Sequence, residues 1–254
     1  MVAKAPCTIF ESLEVSINSS IPIVRASQAK GYRGHTMKHV FIIGATGGVG
    51  SRLGPMLVAA GHQVTGLHRR PEQADDLKRA GVTPSLGDIM QMSSAELAAA
   101  AKDCDVIVFS AGAAGSGLDR TTAIDGDGVT KAIEAARANN ITRLYLVSAF
   151  MDVGRDQPRK DGFEHYMKVK RRADNELVAS GLDWVILRPG TLVSEGGNGL
   201  VNAGPAIPYG NVARGNVAAP LAALIDAPVI SREIIELTDG EVPVADAVHC
   251  LLRA

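Results

Sequence analysis

A phenol and an ammonium four residues apart, Tyr166 and Lys170 in the stretch HYMKVK, can handle a proton between them. On a helix that spacing puts both side chains on one face. The same stretch continues as KVKRR, so it also reads as a charged outer face against which Tyr166 packs. What separates the two readings is whether the rest of the chain builds a nucleotide site that the pair can face.

Such a site is written at residues 44–50. GATGGVG follows the apolar run HVFII and leads into SRLGPMLVAAG, with Gly44, Gly47 and Gly50 spaced three apart. A loop of this kind needs glycine where a side chain would block the turn, the approach of main chain to a pyrophosphate, or the packing of helix on strand. The helix opening behind it presents unpaired N–H groups to phosphates. The intervening Thr46, Gly48 and Val49 belong to the same cradle. The spacing is GxxGxxG and not the GxGxxG of the main dinucleotide fingerprint, so strand-before and helix-after carry the assignment.

The next strand ends in LHRRPEQ. About 20 residues past the glycines an NAD site places an acid on the ribose 2′-hydroxyl. Arg69 and Arg70 stand there instead. Guanidinium forks match a 2′-phosphate in shape and charge, so NADP is expected in preference to NAD. The alternative is a solvated basic turn. After a third strand come Gly87, Asp88 and Ile89, where the Asp88 carboxylate is placed either to accept from the adenine amino group or to form a turn. After a fourth, SAGAAGSG sets the small residues Ala111 and Gly112 at a strand end, either against the cofactor or in a plain loop.

These loops need a scaffold, and the pattern from Met37 onward supplies one. Apolar runs at 39–43, 63–68, 104–110, 143–148, 183–187 and 233–237 alternate with helical stretches at 49–60, 72–80, 94–102, 121–139 and 164–180. Continuous apolar strands are those of a parallel sheet covered on both faces. The expected fold is therefore α/β, a Rossmann-type doubly wound, mainly parallel sheet with helices on both faces. Ligands in such sheets bind beyond the carboxyl ends of the strands, at the switch point. Residues 37–254 are expected to form one NAD(P)-binding domain with a small substrate-side region near its C-terminus. Residues 1–36 lack periodicity and read as a flexible leader or a misassigned start ahead of Met37, and Glu11 and Glu14 fit poorly with an organelle address.

Composition removes several classes. With 26 basic and 27 acidic residues the chain has no field to gather nucleic acid or an anionic membrane, and no apolar run approaches the span of a bilayer. Three scattered cysteines and six scattered histidines give neither a disulfide framework nor metal-ligand spacing. The expectation is a cytoplasmic protein without metal, membrane or nucleic-acid partner, a monomer or homodimer. DGDG at 125–128 hints at a calcium loop, but Thr130 and Ala136 occupy the positions that need glycine and an acid.

Taken in order, GATGGVG, HRR, LGD, FSAG, LVS, HYMKVKRRADNEL, WVILRPG, ARGNVA and ELTDG resemble the atypical short-chain dehydrogenase/reductases, the group with NmrA-like proteins, biliverdin reductase B and sugar-epimerase-named bacterial proteins. The resemblance covers roughly 37–254. It implies NADP binding by the glycine loop and a Ser148, Tyr166, Lys170 site. In that site Ser148 positions the substrate oxygen and Tyr166 transfers the proton. Lys170 contacts the nicotinamide ribose and lowers the tyrosine pKa. Pro189 and Gly190 of RPG would lie near the nicotinamide, with Thr191 and Leu192 continuing that wall, or form a simple turn. Arg188 is open between a substrate contact and a structural ion pair, and Asp125 stands where the family carries an acid. Residues 196–210, rich in glycine, read as a substrate lid or a surface loop. The activity implied is that of an oxidoreductase or an epimerase/dehydratase acting on a small polar substrate. The alternative, from another class, is a non-catalytic NADP(H)-sensing regulator.

Overall fold

A computed structural model of the chain describes residues 36–151 and 161–252. The expected leader, residues 1–35 in particular, lies outside the described residues, and Met37–Ala254 forms one compact unit. The strands are β1 (His39–Ile43), β2 (Gln63–His68), β3 (Thr83–Leu86), β4 (Val106–Phe109), β5 (Arg143–Val147), β6 (Asp183–Pro189), β7 (Thr191–Val193), β8 (Leu200–Gly204), β9 (Asn211–Ala213), β10 (Glu233–Asp239) and β11 (Val242–Pro243). The helices are α1 (Gly50–Ala59), α2 (Ala74–Arg79), α3 (Ser94–Ala100), α4 (Leu118–Thr121), α5 (Gly128–Ala138), α6 (Asp161–Val178), α7 (Arg214–Ile225) and α8 (Val244–Cys250).

Nine strands form one sheet in the order β11-β8-β10-β6-β5-β4-β1-β2-β3. All neighbours from β3 to β10 run parallel, and β8 and β11 close the far edge antiparallel. This is the doubly wound Rossmann-type fold. Alternate residues of β1 explain the two layers. Val40 and Ile42 pack with Leu53, Leu57 and Leu221 of α1 and α7. Phe41 and Ile43 pack on the other face with Leu97, Ile133 and Leu177 of α3, α5 and α6. Because β1 is flanked by β2 and β4, the chain reverses its winding there, and the crevice at the carboxyl ends of these three strands opens at the switch point.

Two local features depart from sequence patterning. Thr122–Asp127 is a π-helical segment between α4 and α5, a rarity that tends to mark functional sites. Within residues 196–210, expected to form a lid or a surface loop, Leu200–Gly204 is instead strand β8, paired with β10 and β11. Its glycine and asparagine content hid the strand, whose place is set by ladder hydrogen bonds and not by an alternating apolar face.

Candidate functional site

A cavity of about 1160 Å³ occupies the switch point. Its floor is the glycine loop. Gly44 has φ +91°, and a methyl group there would stand 2.6 Å from the Ala111 nitrogen, so the loops after β1 and β4 pass each other only because this residue is glycine. Gly50 lies behind the loop, where a methyl group would meet the Gly44 carbonyl oxygen at 2.2 Å. Gly44, Thr46, Gly47, Gly48 and Val49 line the cavity itself. No side chain caps the start of α1 and no acid occupies its first turn, so the positive end of its dipole is not neutralised by the chain, although the Ser51, Arg52 and Leu53 N–H groups donate to the Gly47 and Val49 carbonyls.

One wall of the cavity comes from the end of β2. Arg69 and Arg70 line it directly after His68, and the Gln73 side chain ties this wall to the floor. Its amide donates to Thr46 Oγ1 at 3.1 Å and its oxygen accepts from the Arg70 N–H at 3.1 Å. Asp88 and Ile89 line the cavity after β3. One Asp88 oxygen accepts from the Met90 N–H at 3.0 Å, so this carboxylate is at least partly a turn former.

The opposite wall follows β4, with Ala111 and Gly112 at the cavity. The π-helical segment brings Asp125 beneath them, 2% exposed, and its Oδ2 accepts from the Ala113 N–H at 2.9 Å. Tyr166 of α6 reaches the same wall half-buried, beside Phe163, with ring centroids 6.4 Å apart. Burial pushes the Tyr166 hydroxyl above its ordinary value of 10; Lys170 pulls the other way, and the negative charges of Asp125 and Asp174 add to the rise. This corrects the expectation of a lowered tyrosine pKa: the cation acts in the expected direction, but desolvation of the phenolate outweighs it.

Three other expected residues sit behind the wall. Lys170 is 2% exposed and donates to the Val147 carbonyl at 3.0 Å, with Asp125 Oδ1 at 3.6 Å. Ser148 is buried, and its hydroxyl donates to Asp174 Oδ1 at 2.6 Å. The other Asp174 oxygen accepts from Arg188 Nε and Nη2 at 3.0 and 2.9 Å, so Arg188 is a structural ion-pair partner. Burial raises the Asp174 carboxyl above its ordinary range, opposed by the bonds from Ser148 and Arg188. Pro189 and Gly190 do not line the cavity; a methyl group at Gly190 would collide with the Gly210 carbonyl, so the glycine serves the approach of the segment that leads into β9.

The cavity also holds residues that spacing gave no reason to select: Gln73, Leu118, Arg120, Phe163 and Arg214, while Leu192, expected to continue the wall after Gly190, lines it as well. Only the ARGNVA landmark pointed toward one of them. Among the described residues no group of three or more His, Cys, Asp or Glu side chains is placed to hold a metal ion. Likewise, no helix among them is long and apolar enough to cross a membrane. Glycine loop, uncapped helix start and paired arginines together suit a phosphate-bearing nucleotide.

Comparison with known proteins agrees with that chemistry. The NAD(P)H-binding family model matches residues 44–228. The chain is 38% identical over 214 residues to the uncharacterized sugar epimerase YhfK of Bacillus subtilis, covering 84% of this chain and 99% of that one. A solved structure from Bacillus halodurans, provisionally assigned as an NAD-dependent epimerase/dehydratase, superposes with a TM-score of 0.77 at 31% identity, over 84% of this chain and 99% of that one. ChuY, an anaerobilin reductase of Escherichia coli O157:H7, superposes with a TM-score of 0.66 at 25% identity, over 79% and 97% of the two chains.

Proposed function

The chain belongs to the NAD(P)H-binding family of atypical short-chain dehydrogenase/reductase type, and we propose that within it this protein is an NADPH-dependent reductase of a small carbonyl-type substrate. The observation that carries the reading is the placement and protonation of Tyr166. Of Ser148, Tyr166 and Lys170, only the tyrosine lines the cavity, and burial keeps its hydroxyl protonated. A phenol in that state is present as the protonated form at neutral pH and cannot act as a base without first ionising, although the burial that raises its pKa also makes it a weaker acid. Reduction of a carbonyl needs a donor at the oxygen, whereas epimerisation by oxidation and return needs a base first.

Arg69 and Arg70 are the basis for choosing NADPH over NADH, since the two residues directly after β2 are cations where an NAD site places an acid; Arg70 also pairs with Glu72 at 3.4 Å at the exposed rim. A bound NADPH supplies the hydride for the carbonyl carbon. Tyr166 gives its proton to the carbonyl oxygen and regains one from solvent. Asp125 fixes the Ala111–Ala113 loop through the Ala113 N–H, and Lys170 holds Asp125 in place. Lys170 and Ser148 are thus positioning residues.

A second reading, an NADP(H)-sensing regulator, draws support from the same seclusion of Ser148 and Lys170. The two readings separate on turnover. A panel of quinone, flavin and carbonyl substrates followed at the reduced-nicotinamide absorbance is expected to yield a substrate. On it Tyr166→Phe is expected to lose about 10²-fold or more in kcat, the usual share of general-acid catalysis, with NADPH affinity kept. Unchanged rates in that variant exclude the catalytic role, and no turnover across the panel with intact NADPH binding favours the regulator.

A further inference from the structure

The third glycine of GATGGVG, Gly48, is not part of the three-residue spacing, and the structure shows what it accommodates. A methyl group at Gly48 would lie 2.4 Å from Cδ and 2.6 Å from Nε of Arg214. The first residue of α7 therefore lays its side chain across the phosphate loop, at the same cavity that Arg69 and Arg70 line. It can do so because α7 packs beside α1 in the same apolar layer, which brings the two helix starts together.

Arg214 is placed against local preference. A cation in the first turn of a helix faces the positive end of the dipole. Among the described residues no carboxylate pairs with it; its only hydrogen bond is from Nη1 to Ser194 Oγ at 2.9 Å. The backbone that carries it is firmly held. The Ala213 N–H donates to both Asp239 oxygens at 3.0 and 3.1 Å. Asn216, 2% exposed, donates to Asp239 Oδ1 at 2.7 Å and to the Leu200 carbonyl at 3.1 Å. Arg52 donates to the Gly48 carbonyl at 2.7 Å and the Ser194 carbonyl at 2.8 Å, which ties the glycine loop to the residue that Arg214 bonds.

We propose that Arg214 is the cation that receives the pyrophosphate of the bound dinucleotide, completing a cradle that the helix dipole of α1 alone leaves under-neutralised. The inference rests on dinucleotide binding at this cavity but not on the choice of NADP over NAD, because both carry the pyrophosphate. Arg69 and Arg70 meet the far end of the cofactor, and Arg214 its middle.

The test uses the full chain, with NADPH fluorescence for direct titration and two competitors. ADP-ribose carries the pyrophosphate without a 2′-phosphate, and adenosine 2′-monophosphate the reverse. Arg214→Gln is expected to weaken NADPH and ADP-ribose by about tenfold or more, the loss of a charge-assisted contact, and to leave adenosine 2′-monophosphate within about twofold. Arg214→Lys, which keeps a point charge, is expected to bind ADP-ribose more tightly than Arg214→Gln, and Arg214→Met replaces the glutamine variant should that one not fold. Native affinity for ADP-ribose in the uncharged variant, or equal weakening of both competitors, overturns the proposal. Failure of the reductase reading leaves the ADP-ribose comparison unaffected, so the two outcomes are distinguishable.

Discussion

Lys170 Nζ lies 3.6 Å from Asp125 Oδ1, with both side chains no more than 3% exposed, and this pair links the helix that carries Tyr166 to the wall built by Ala111–Ala113. A charge pair taken so far from water stabilises little by itself, but each partner makes the other tolerable. Lys170→Met leaves Asp125 buried without its cation and is expected to cost about 3–5 kcal/mol in denaturant unfolding. Lys170→Met combined with Asp125→Asn removes both charges and is expected to regain most of that. Additive losses in the double variant refute the coupling.

Tyr166 sets the pH dependence of turnover. Its pKa is raised by burial, so the proton-donating form persists through neutral pH and is lost only as pH climbs past the raised value, above 10. The kcat/KM profile for reduction is expected to stay level on the alkaline side until then, and to lose that falling limb in Tyr166→Phe. A limb descending below pH 9 in the native protein assigns the donor to another group.

Discrimination between cofactors is expected to reside at the end of β2. Native protein should bind NADPH more tightly than NADH in fluorescence titration, and Arg69→Ala with Arg70→Ala should erase the difference, a loss of about tenfold or more for NADPH alone. Equal native affinities rule out the NADP assignment.

Much of this architecture was legible because it follows from main-chain rules. HVFII and RLYLVS are near-continuous apolar runs, and such runs mean strands covered on both faces, so β1 and β5 and their parallel pairing could be read directly. The glycine loop was legible for the same reason: backbone geometry leaves a fixed trace in residue type. Beyond that, side-chain direction decides, and a sequence does not show it. YxxxK correctly places Tyr166 and Lys170 one turn apart, yet the fold points the first at the cavity and seals the second against Val147. Arg214 escaped notice because it is 166 residues from Gly48 in the chain and meets it only through the packing of α7 on α1. Leu200–Gly204 carries no apolar alternation, and only its partners make it a strand.

Alkaline stability depends on a buried phenol outside the site. Tyr145, 1% exposed, is pushed up by burial from 10 to about 12, and its hydroxyl donates to the Leu224 carbonyl at 2.8 Å. The unfolded chain gives up this proton first, so the folded state holds the full advantage below pH 10 and loses it as pH rises toward 12. The loss amounts to about 2 kcal/mol at pH 12. Tyr145→Phe is expected to be less stable near pH 8 by about 1 kcal/mol, for the missing hydrogen bond, but to show a flatter decline between pH 10 and 12. A parallel decline in both proteins removes Tyr145 from the alkaline transition.

Two glycines of one loop are expected to fail in different ways. At Gly50 a methyl group meets the Gly44 carbonyl oxygen at 2.2 Å, backbone against backbone, where nothing yields cheaply. Gly50→Ala should therefore lower the melting temperature of the ligand-free protein by several degrees, as a shift of about 1–3 kcal/mol would. At Gly47 the nearest atom is the same oxygen at 3.1 Å, and the cavity lies on the other side. Gly47→Ala should fold with nearly the native melting temperature, yet bind NADPH at least about tenfold more weakly, because its methyl group takes the space that a pyrophosphate needs against bare main chain. Native NADPH affinity in Gly47→Ala would place the phosphates elsewhere, and with them the hydride that Tyr166 is proposed to accompany.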